Sequence, residues 1–467
     1  MNESIPNLDI LSSNLDQNSP GADLSVSPAP VTEAERLKLI DALRGVAVMG
    51  ILIVNIPSFS MPDYFSESFR SNPRTLNFWL SAVIEIFIEG KMRAMFGMLF
   101  GAGVVLFVTK GEKAGKSVTG LFYRRMFWLV VFGLIHSHLI LWIGDILYLY
   151  GLCGMLIYLV RNVKSSYLCL GIPLVGLLSF GSGVIVYTYV RSLRLDYVDA
   201  KRAEAEAENV QLSEKQSKAL ANWREIEEKF IPNRDDAREN TRKMKSNYST
   251  VAARLRPMAF DFQTKFILFE IWDSIALMLL GIALYRRGYL QGNWSNQSYL
   301  NMMLFGYGIG LPLVTFSFYQ GFLHHPNLEA TLARMEQVPV DWVGLIYPFQ
   351  RILLVLAHSS AIILLDKANV APQLFRGLTA VGRMAFTNYI MQSVICTLFF
   401  FGYGLSFFAE LDFYQIYFVV LAIWTLQLFL SPLWLTYFQF GPLEWLWRSL
   451  TYLNVQPLTR TAALSIA

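Results

Sequence analysis

Histidine is scarce in this chain, five residues in 467, and one of the five stands where it could serve as a base. In the stretch RRMFWLVVFGLIHSHLILWIGDILYLYG, His136 lies in an apolar run and Asp145 opens the next one. The link at residues 142–144 is so short that the two runs must be antiparallel neighbours, which lets imidazole and carboxylate meet. A carboxylate beside an imidazole selects one tautomer and stabilises the imidazolium formed when the ring takes a proton, which is the equipment of an oriented general base. His138 is two residues further on, about 200° around a helix, so only one of the two histidines faces inward. His136 follows Gly133 by three residues and is the inward candidate. The plainer alternative is a structural hydrogen-bonded pair.

Other ionisable groups in apolar runs are candidates because charge is costly in hydrocarbon. Asp41 and Arg44 are three apart and share a helix face. Arg44 could meet an anionic ligand there, together with Arg124 and Arg125 in a basic stretch that also holds Lys110, Lys113 and Lys116. Asn55 lies about three turns beyond Arg44 and can hydrogen-bond between helices. Lys91 and Arg93 flank a break expected at Gly90. Asp273, with Arg351 and His358 seven apart on one face, supplies either a buried salt bridge or a pocket. Asn388 and Gln392, four apart, form a polar stripe. All of these are expected to line a pocket: Asp41, Asn55, Arg93, Asp273, Arg351, His358, Asn388 and Gln392. Cys153, Cys169 and Cys396 lie in apolar stretches without metal-ligand spacing, so no metal site is expected. There is no phosphate-binding glycine loop, zinc helix or nucleophile elbow.

The elements that must hold these residues are long apolar helices. The chain is 54% apolar and only 16% charged, against about a quarter charged in soluble domains. The expected fold is all-α, a polytopic membrane bundle of about ten spans, read at 40–57, 92–109, 125–142, 144–160, 167–190, 265–285, 299–320, 342–365, 385–402 and 414–437. Residues 76–91 add an interfacial helix. Residues 1–32 read as a disordered polar tail, 33–190 as a first membrane half, 191–264 as a charged extracytoplasmic loop, 265–450 as a second half and 451–467 as a C-terminal tail. With the N-terminus inside, the clusters after the second, fourth, sixth and eighth spans are all cytoplasmic, as the positive-inside rule requires. The loop carries fifteen Lys/Arg and thirteen Asp/Glu, a balance compatible with export, and it could cover an external site. A net charge of +4 is too small to imply nucleic acid.

Four segments in order carry a resemblance: IDALRGVAVMGILIVNI (40–56), GKMRAMFGMLFGAG (90–103), GLIHSHLILWIGDILYLYG (133–151) and GRMAFTNYIMQS (382–393). The chain resembles the YeiB-like bacterial inner-membrane proteins, the domain of unknown function 418 family, from about residue 36 to 450. Its first helix is similar to those of transmembrane acyltransferases of the acyltransferase-3 and heparan-glucosaminide acetyltransferase-like groups, where Asp41 and Arg44 match a shared D-x-x-R-G element. The resemblance implies transfer of an acyl group from a cytoplasmic thioester to an acceptor, often a sugar. Two departures stand out: Asn55 replaces a histidine of the first group, and residues 57–92 lack the histidine of the second.

The leading expectation is therefore a membrane-embedded acyltransferase-like protein acting on an envelope glycan or similar small-molecule acceptor. An acyl-coenzyme A would be donor substrate rather than tightly bound cofactor, held by Arg44, Arg124 and Arg125. His136, oriented by Asp145, would be the base; convergence of His136, Asp145 and Arg93 on a cavity that continues to a basic mouth is the arrangement that would favour this reading. The alternatives are a secondary transporter, suggested by the five-plus-five layout of spans, and a non-catalytic membrane partner. The expected location is a bacterial inner membrane, multi-pass, with both termini cytoplasmic; the sequence leaves the oligomeric state open.

Overall fold

Lipid offers a backbone no hydrogen-bond partner, so an apolar run that enters it must satisfy its own amides as a helix. The computed structural model describes residues 38–62, 72–113, 118–206, 212–230, 234–325 and 327–460. Within these the fold is all-α, and the one extended pairing is a single bridge between Phe438 and Thr459. The tail 1–32 lies outside the described residues, as does 461–467.

Helix α1 (Lys38–Ser60) is the hub, packed against α3 (Lys91–Lys113), α14 (Pro372–Arg383), α15 (Ala385–Phe400) and α16 (Ile416–Tyr437). Helix α2 (Leu76–Phe87) is capped by Thr75, whose hydroxyl accepts from Phe78 N at 3.2 Å. It is separated from α3 by Gly90, whose φ of +73° is a conformation a side chain would resist. The break expected at Gly90 is therefore present. Helices α4 (Thr119–His138) and α5 (Leu147–Leu159) pack antiparallel. Helix α6 (Ser165–Glu206) runs on beyond the bundle and packs against α7 (Glu214–Phe230). After α8 (Arg234–Met244) and α9 (Tyr248–Asp261), a π-helical turn at Phe262–Phe266 leads into α10 (Ile267–Arg286). The second part comprises α11 (Asn296–His324), α12 (Leu328–Gln337), α13 (Val343–Lys367), then α14 to α16, and a final short α17 (Pro442–Tyr452).

Large apolar side chains on α6, α11 and α16 face outward, among them Leu174, Ile185, Leu304, Phe305, Phe418 and Phe429, each more than half exposed. A water-soluble monomer does not present such continuous apolar faces. By length and composition five stretches are able to cross a membrane: Lys38–Ser60, Leu76–Thr109, Asn296–His324, Val343–Lys367 and Ile416–Tyr437. A sixth is added if Tyr248–Phe266 and Glu270–Arg286, bent by 68°, form one broken span. Leu147–Leu159 and Ala385–Phe400 are apolar but short. Each of the ten segments expected from sequence contains a helix, yet by length and composition five or six stretches among the described residues are able to cross a membrane.

One boundary differs from expectation. The third segment was expected to stay helical to 142, but α4 ends at His138 and residues 139–146 form an irregular turn with Leu141 at φ 66°. Leu141 and Trp142 are buried, and Trp142 N donates to His136 O at 3.2 Å. Irregular backbone is tolerated at such a depth where protein surrounds it. Helix α9 reaches back to this turn: Tyr248 Oη donates to Leu139 O at 2.7 Å and Arg256 Nε to His138 O at 2.9 Å.

Candidate functional site

His136 is completely buried near the end of α4. Its Nδ1 lies 2.7 Å from Asp145 Oδ1, and Asp145 Oδ2 accepts from Tyr148 N at 2.8 Å in the first turn of α5. One carboxylate thus caps a helix and orients the imidazole. In the neutral tautomer that donates from Nδ1 to this carboxylate, the lone pair stands on Nε2. Nε2 is buried and has no hydrogen-bond partner among the described residues. The approach depends on Gly133, because a Cβ there would press on Tyr148 N and come within 2.6 Å of Asp145 Oδ2. His138 turns the other way, half-buried, with Nε2 2.9 Å from Gln263 Oε1. His136 is therefore the inward histidine of the two.

A cavity of about 230 Å³ opens near the start of α1. Four arginines line it, Arg44, Arg125, Arg383 and Arg448, against two carboxylates, Asp41 and Glu444. Neither carboxylate is open to a ligand's charge. Asp41 Oδ1 accepts from Arg44 Nη1 at 3.2 Å. Glu444 Oε1 accepts from Phe386 N at 2.7 Å and Thr387 N at 3.1 Å, capping the start of α15 where anionic charge suits the helix dipole. Gly382 brings α14 against α1, since a Cβ there would collide with the Asp41 carbonyl, and Arg383 follows directly. Arg125 stacks on Trp447 at 3.8 Å. Deeper walls are aromatic, including Phe96, Phe100, Phe122, Tyr150 and Tyr389.

The arginine-lined cavity and the buried dyad are adjacent but not joined. The last residue of α4 that lines the cavity is Leu129, seven residues and roughly 10 Å along the helix from His136. Tyr389 spans the interval: it lines the cavity and packs its ring edge-on against the imidazole, centroids 5.1 Å apart. Trp142 Nε1 donates to its hydroxyl at 3.3 Å, and that hydroxyl donates to Gly144 O at 3.4 Å.

A family model described as a protein of unknown function, DUF418, matches residues 284–454. The chain is 30% identical over 438 residues to the uncharacterized protein YxaH of Bacillus subtilis (strain 168), covering 92% of this chain and 98% of that protein. The chain belongs to the DUF418 family. It is also 29% identical over 433 residues to the uncharacterized protein YeiB of Escherichia coli (strain K12), covering 89% of this chain and 96% of that protein. No solved structure matches. The family model covers Arg383, Tyr389, Glu444 and Arg448 of the DUF418 chain's cavity, whereas Arg44, Arg125, His136 and Asp145 precede it.

Several expected positions fall elsewhere in the DUF418 chain. Arg124, one helical step from Arg125, turns out of the cavity and donates to the Thr451 carbonyl. Arg93 does not join His136; its Nη1 lies 2.8 Å from Glu270 Oε2 and its Nη2 3.7 Å from Asp273 Oδ2. Arg351 pairs with Asp273 through both terminal nitrogens, the salt bridge weighed from sequence. His358 donates or accepts at both ring atoms, Nε2 2.8 Å from Phe87 O and Nδ1 2.9 Å from Tyr307 Oη. A carbonyl only accepts, so a neutral His358 carries its hydrogen on Nε2 and accepts from tyrosine. Asn388 Nδ2 bonds Val381 O and Ser431 Oγ, both at 3.1 Å, and Gln392 Nε2 bonds Gln427 Oε1 at 3.1 Å. These amides tie α15 to α14 and α16. Asn55 is half-buried on α1 and lines neither this cavity nor the second one described below. Of the eight positions expected to line a pocket, Asp41 alone lines one of the two cavities. Sequence reasoning missed Glu444, Trp447 and Arg448. A signal was available: Pro442 opens a helix after the last apolar span, and the three residues share one face at three- and four-residue spacing.

Proposed function

We propose that this protein is a membrane-embedded acyltransferase-like enzyme that takes an acyl group from a coenzyme A thioester on the cytoplasmic side and passes it to a hydroxyl or amine acceptor of the cell envelope. The observation that carries this reading is an arginine-lined, aromatic-walled cavity that ends on Tyr389, the residue packed against an oriented and buried imidazole. Guanidinium groups suit phosphates, and apolar walls suit a thioester arm. About 230 Å³ is below the usual volume of a whole-ligand pocket. Only the acyl-bearing arm would enter, leaving the nucleotide at the mouth. In the reaction, the acceptor's oxygen or nitrogen attacks the thioester carbonyl and its proton passes to His136 Nε2. The carbon–sulfur bond breaks, and the proton is returned to the departing thiolate. Movement of the Tyr389 ring opens the imidazole to the cavity in this scheme.

Purified full-length protein should bind coenzyme A with an affinity that falls as salt rises. Arg44→Gln and Arg125→Gln should each weaken binding at least tenfold. Arg124→Gln should leave it unchanged, because that side chain is turned away. A folded, detergent-stable sample that binds no coenzyme A would remove this reading.

A secondary transporter is favoured by one observation: a linked set of charges, Arg93, Asp273 and the buried Arg351, lies between the two cavities. The arginine-lined cavity is not placed between two repeated halves, however. Its walls come from residues 40–150 and 382–452, with none from 265–365. The same scheme places the protein in a bacterial inner membrane with ten crossings and the arginines inside. Single cysteines at Ser117 and Ser217 should then react with an impermeant thiol reagent from opposite sides in intact cells. Reaction of Ser217→Cys from the cytoplasm would reverse every assigned side.

A further inference from the structure

A second cavity, of about 470 Å³, opens among α2, α3, α6, α11, α12 and α13. It shares no residue with the arginine-lined cavity. On α3 the arginine-lined cavity reaches from Phe96 to Phe107 and the second cavity touches Lys91, about 8 Å along the helix axis from the nearer end of the first. The second cavity therefore lies beyond the first, at the break that opens α3. It is built on the break at Gly90: Glu85 and Glu89 line it from one side of the break and Lys91 from the other. His358 holds that break by its bond to Phe87 O. Non-helical backbone within an apolar bundle is tolerated where it lines a cavity, and here it does.

The walls select a ligand class. Three carboxylates, Glu85, Glu89 and Asp341, face Lys91 and Arg334, with the imidazoles of His324 and His325 beside them. Lys91 is buried and its Nζ donates to Glu85 O at 2.6 Å, so its charge is partly committed to the wall. That balance disfavours an anion. Amide and hydroxyl groups such as Gln320 and Ser317 disfavour an acyl chain. Carboxylate and amide oxygens accept hydrogen bonds from hydroxyl or ammonium donors. Trp342, 65% exposed at the rim, stacks on Phe180 and presents indole surface to the opening. Aromatic faces carry partial negative charge and attract the polarised C–H face of a sugar ring or a cation. We propose that this cavity is a binding site for a saccharide bearing no negative charge, either neutral or amino-substituted. The site stands on its own walls and does not depend on the acyl-transfer reading.

The test is titration of the purified full-length protein with glucose, glucosamine and glucuronate, followed by tryptophan fluorescence and calorimetry. Glucose and glucosamine should bind saturably, glucosamine at least as tightly as glucose, and glucuronate at least tenfold more weakly. Trp342→Ala and Glu89→Gln should each weaken glucosamine at least tenfold with the thermal midpoint retained, while Ser217→Ala, outside the cavity, changes nothing. If Glu89→Gln does not fold, Asp341→Asn at an exposed turn gives the same readout. The proposal is overturned if none of the three compounds saturates, if glucuronate binds most tightly, or if the cavity variants bind glucosamine like the parent protein.

Discussion

Loss of acyl transfer by a factor of about a hundred to ten thousand, in protein that is still inserted and folded, is the expected result of His136→Gln. Glutamine preserves size and hydrogen-bonding capacity but has no lone pair basic enough to take a proton. The measurement is incorporation of labelled acyl groups from acyl-coenzyme A into envelope saccharides by membranes containing the full-length chain. Asp145→Asn should act in the same direction and less severely. It leaves the base but removes the carboxylate that fixes Nδ1 at 2.7 Å and would stabilise the imidazolium. It also weakens the cap on Tyr148 N, so its thermal midpoint should fall. His138→Gln should be mild, because that ring bonds Gln263 in the π-helical turn and not the dyad. A purely structural dyad gives the opposite pattern: a lower midpoint for His136→Gln and unchanged transfer per folded molecule. Sensitivity at His138 with tolerance at His136 would remove the site built on the inward face.

How much of this was legible depended on whether a short stretch of chain or the packing of distant helices decides the geometry. The dyad was legible because the short link at residues 142–144 leaves two apolar runs no choice but to lie side by side. Asp41 and Arg44 were legible because a three-residue spacing fixes their common face. The difference between Arg124 and Arg125 was not, since adjacent helical residues point about 100° apart and only the position of α17 decides which one meets Trp447 and which one meets the Thr451 carbonyl. Asn388 and Gln392 were read as a polar stripe that either joins helices or lines a pocket, and the contact between helices is what the structure has. Their partners, Ser431 and Gln427, lie on a helix whose neighbours the sequence does not reveal. Tyr389, between them in sequence, faces the cavity instead. Arg93 was read as a pocket-lining candidate and is claimed by Glu270, a residue 177 positions away. Such long-range pairings decide which groups are used up in holding helices together and which remain to meet a ligand.

The same competition gives the largest expected effect on stability. Asp273 sits between Arg351, whose side chain is 2% exposed, and Arg93. Burying opposite charges costs desolvation that their attraction roughly repays, whereas removing one partner leaves the other charge buried and uncompensated. Asp273→Asn should therefore cost about 3–5 kcal/mol, read as a large drop in thermal midpoint and in resistance to denaturing detergent. Arg93 keeps Glu270 in that variant, so the loss falls on Arg351, which keeps the Tyr347 ring at 4.9 Å but no carboxylate partner among the described residues. Arg351→Met alone should cost less, because Asp273 retains Arg93 at 3.7 Å. The double variant Asp273→Asn, Arg351→Met removes both charges and should recover most of the loss. Recovery of stability together with unchanged coenzyme A binding and acyl transfer would mark the cluster as a structural clasp between α10 and α13. Recovery of stability with loss of every cellular activity would instead mean that the charges between the two cavities carry the function, and would turn the assignment toward transport. A double variant as unstable as the sum of the singles would show that Asp273 and Arg351 do not compensate each other at all.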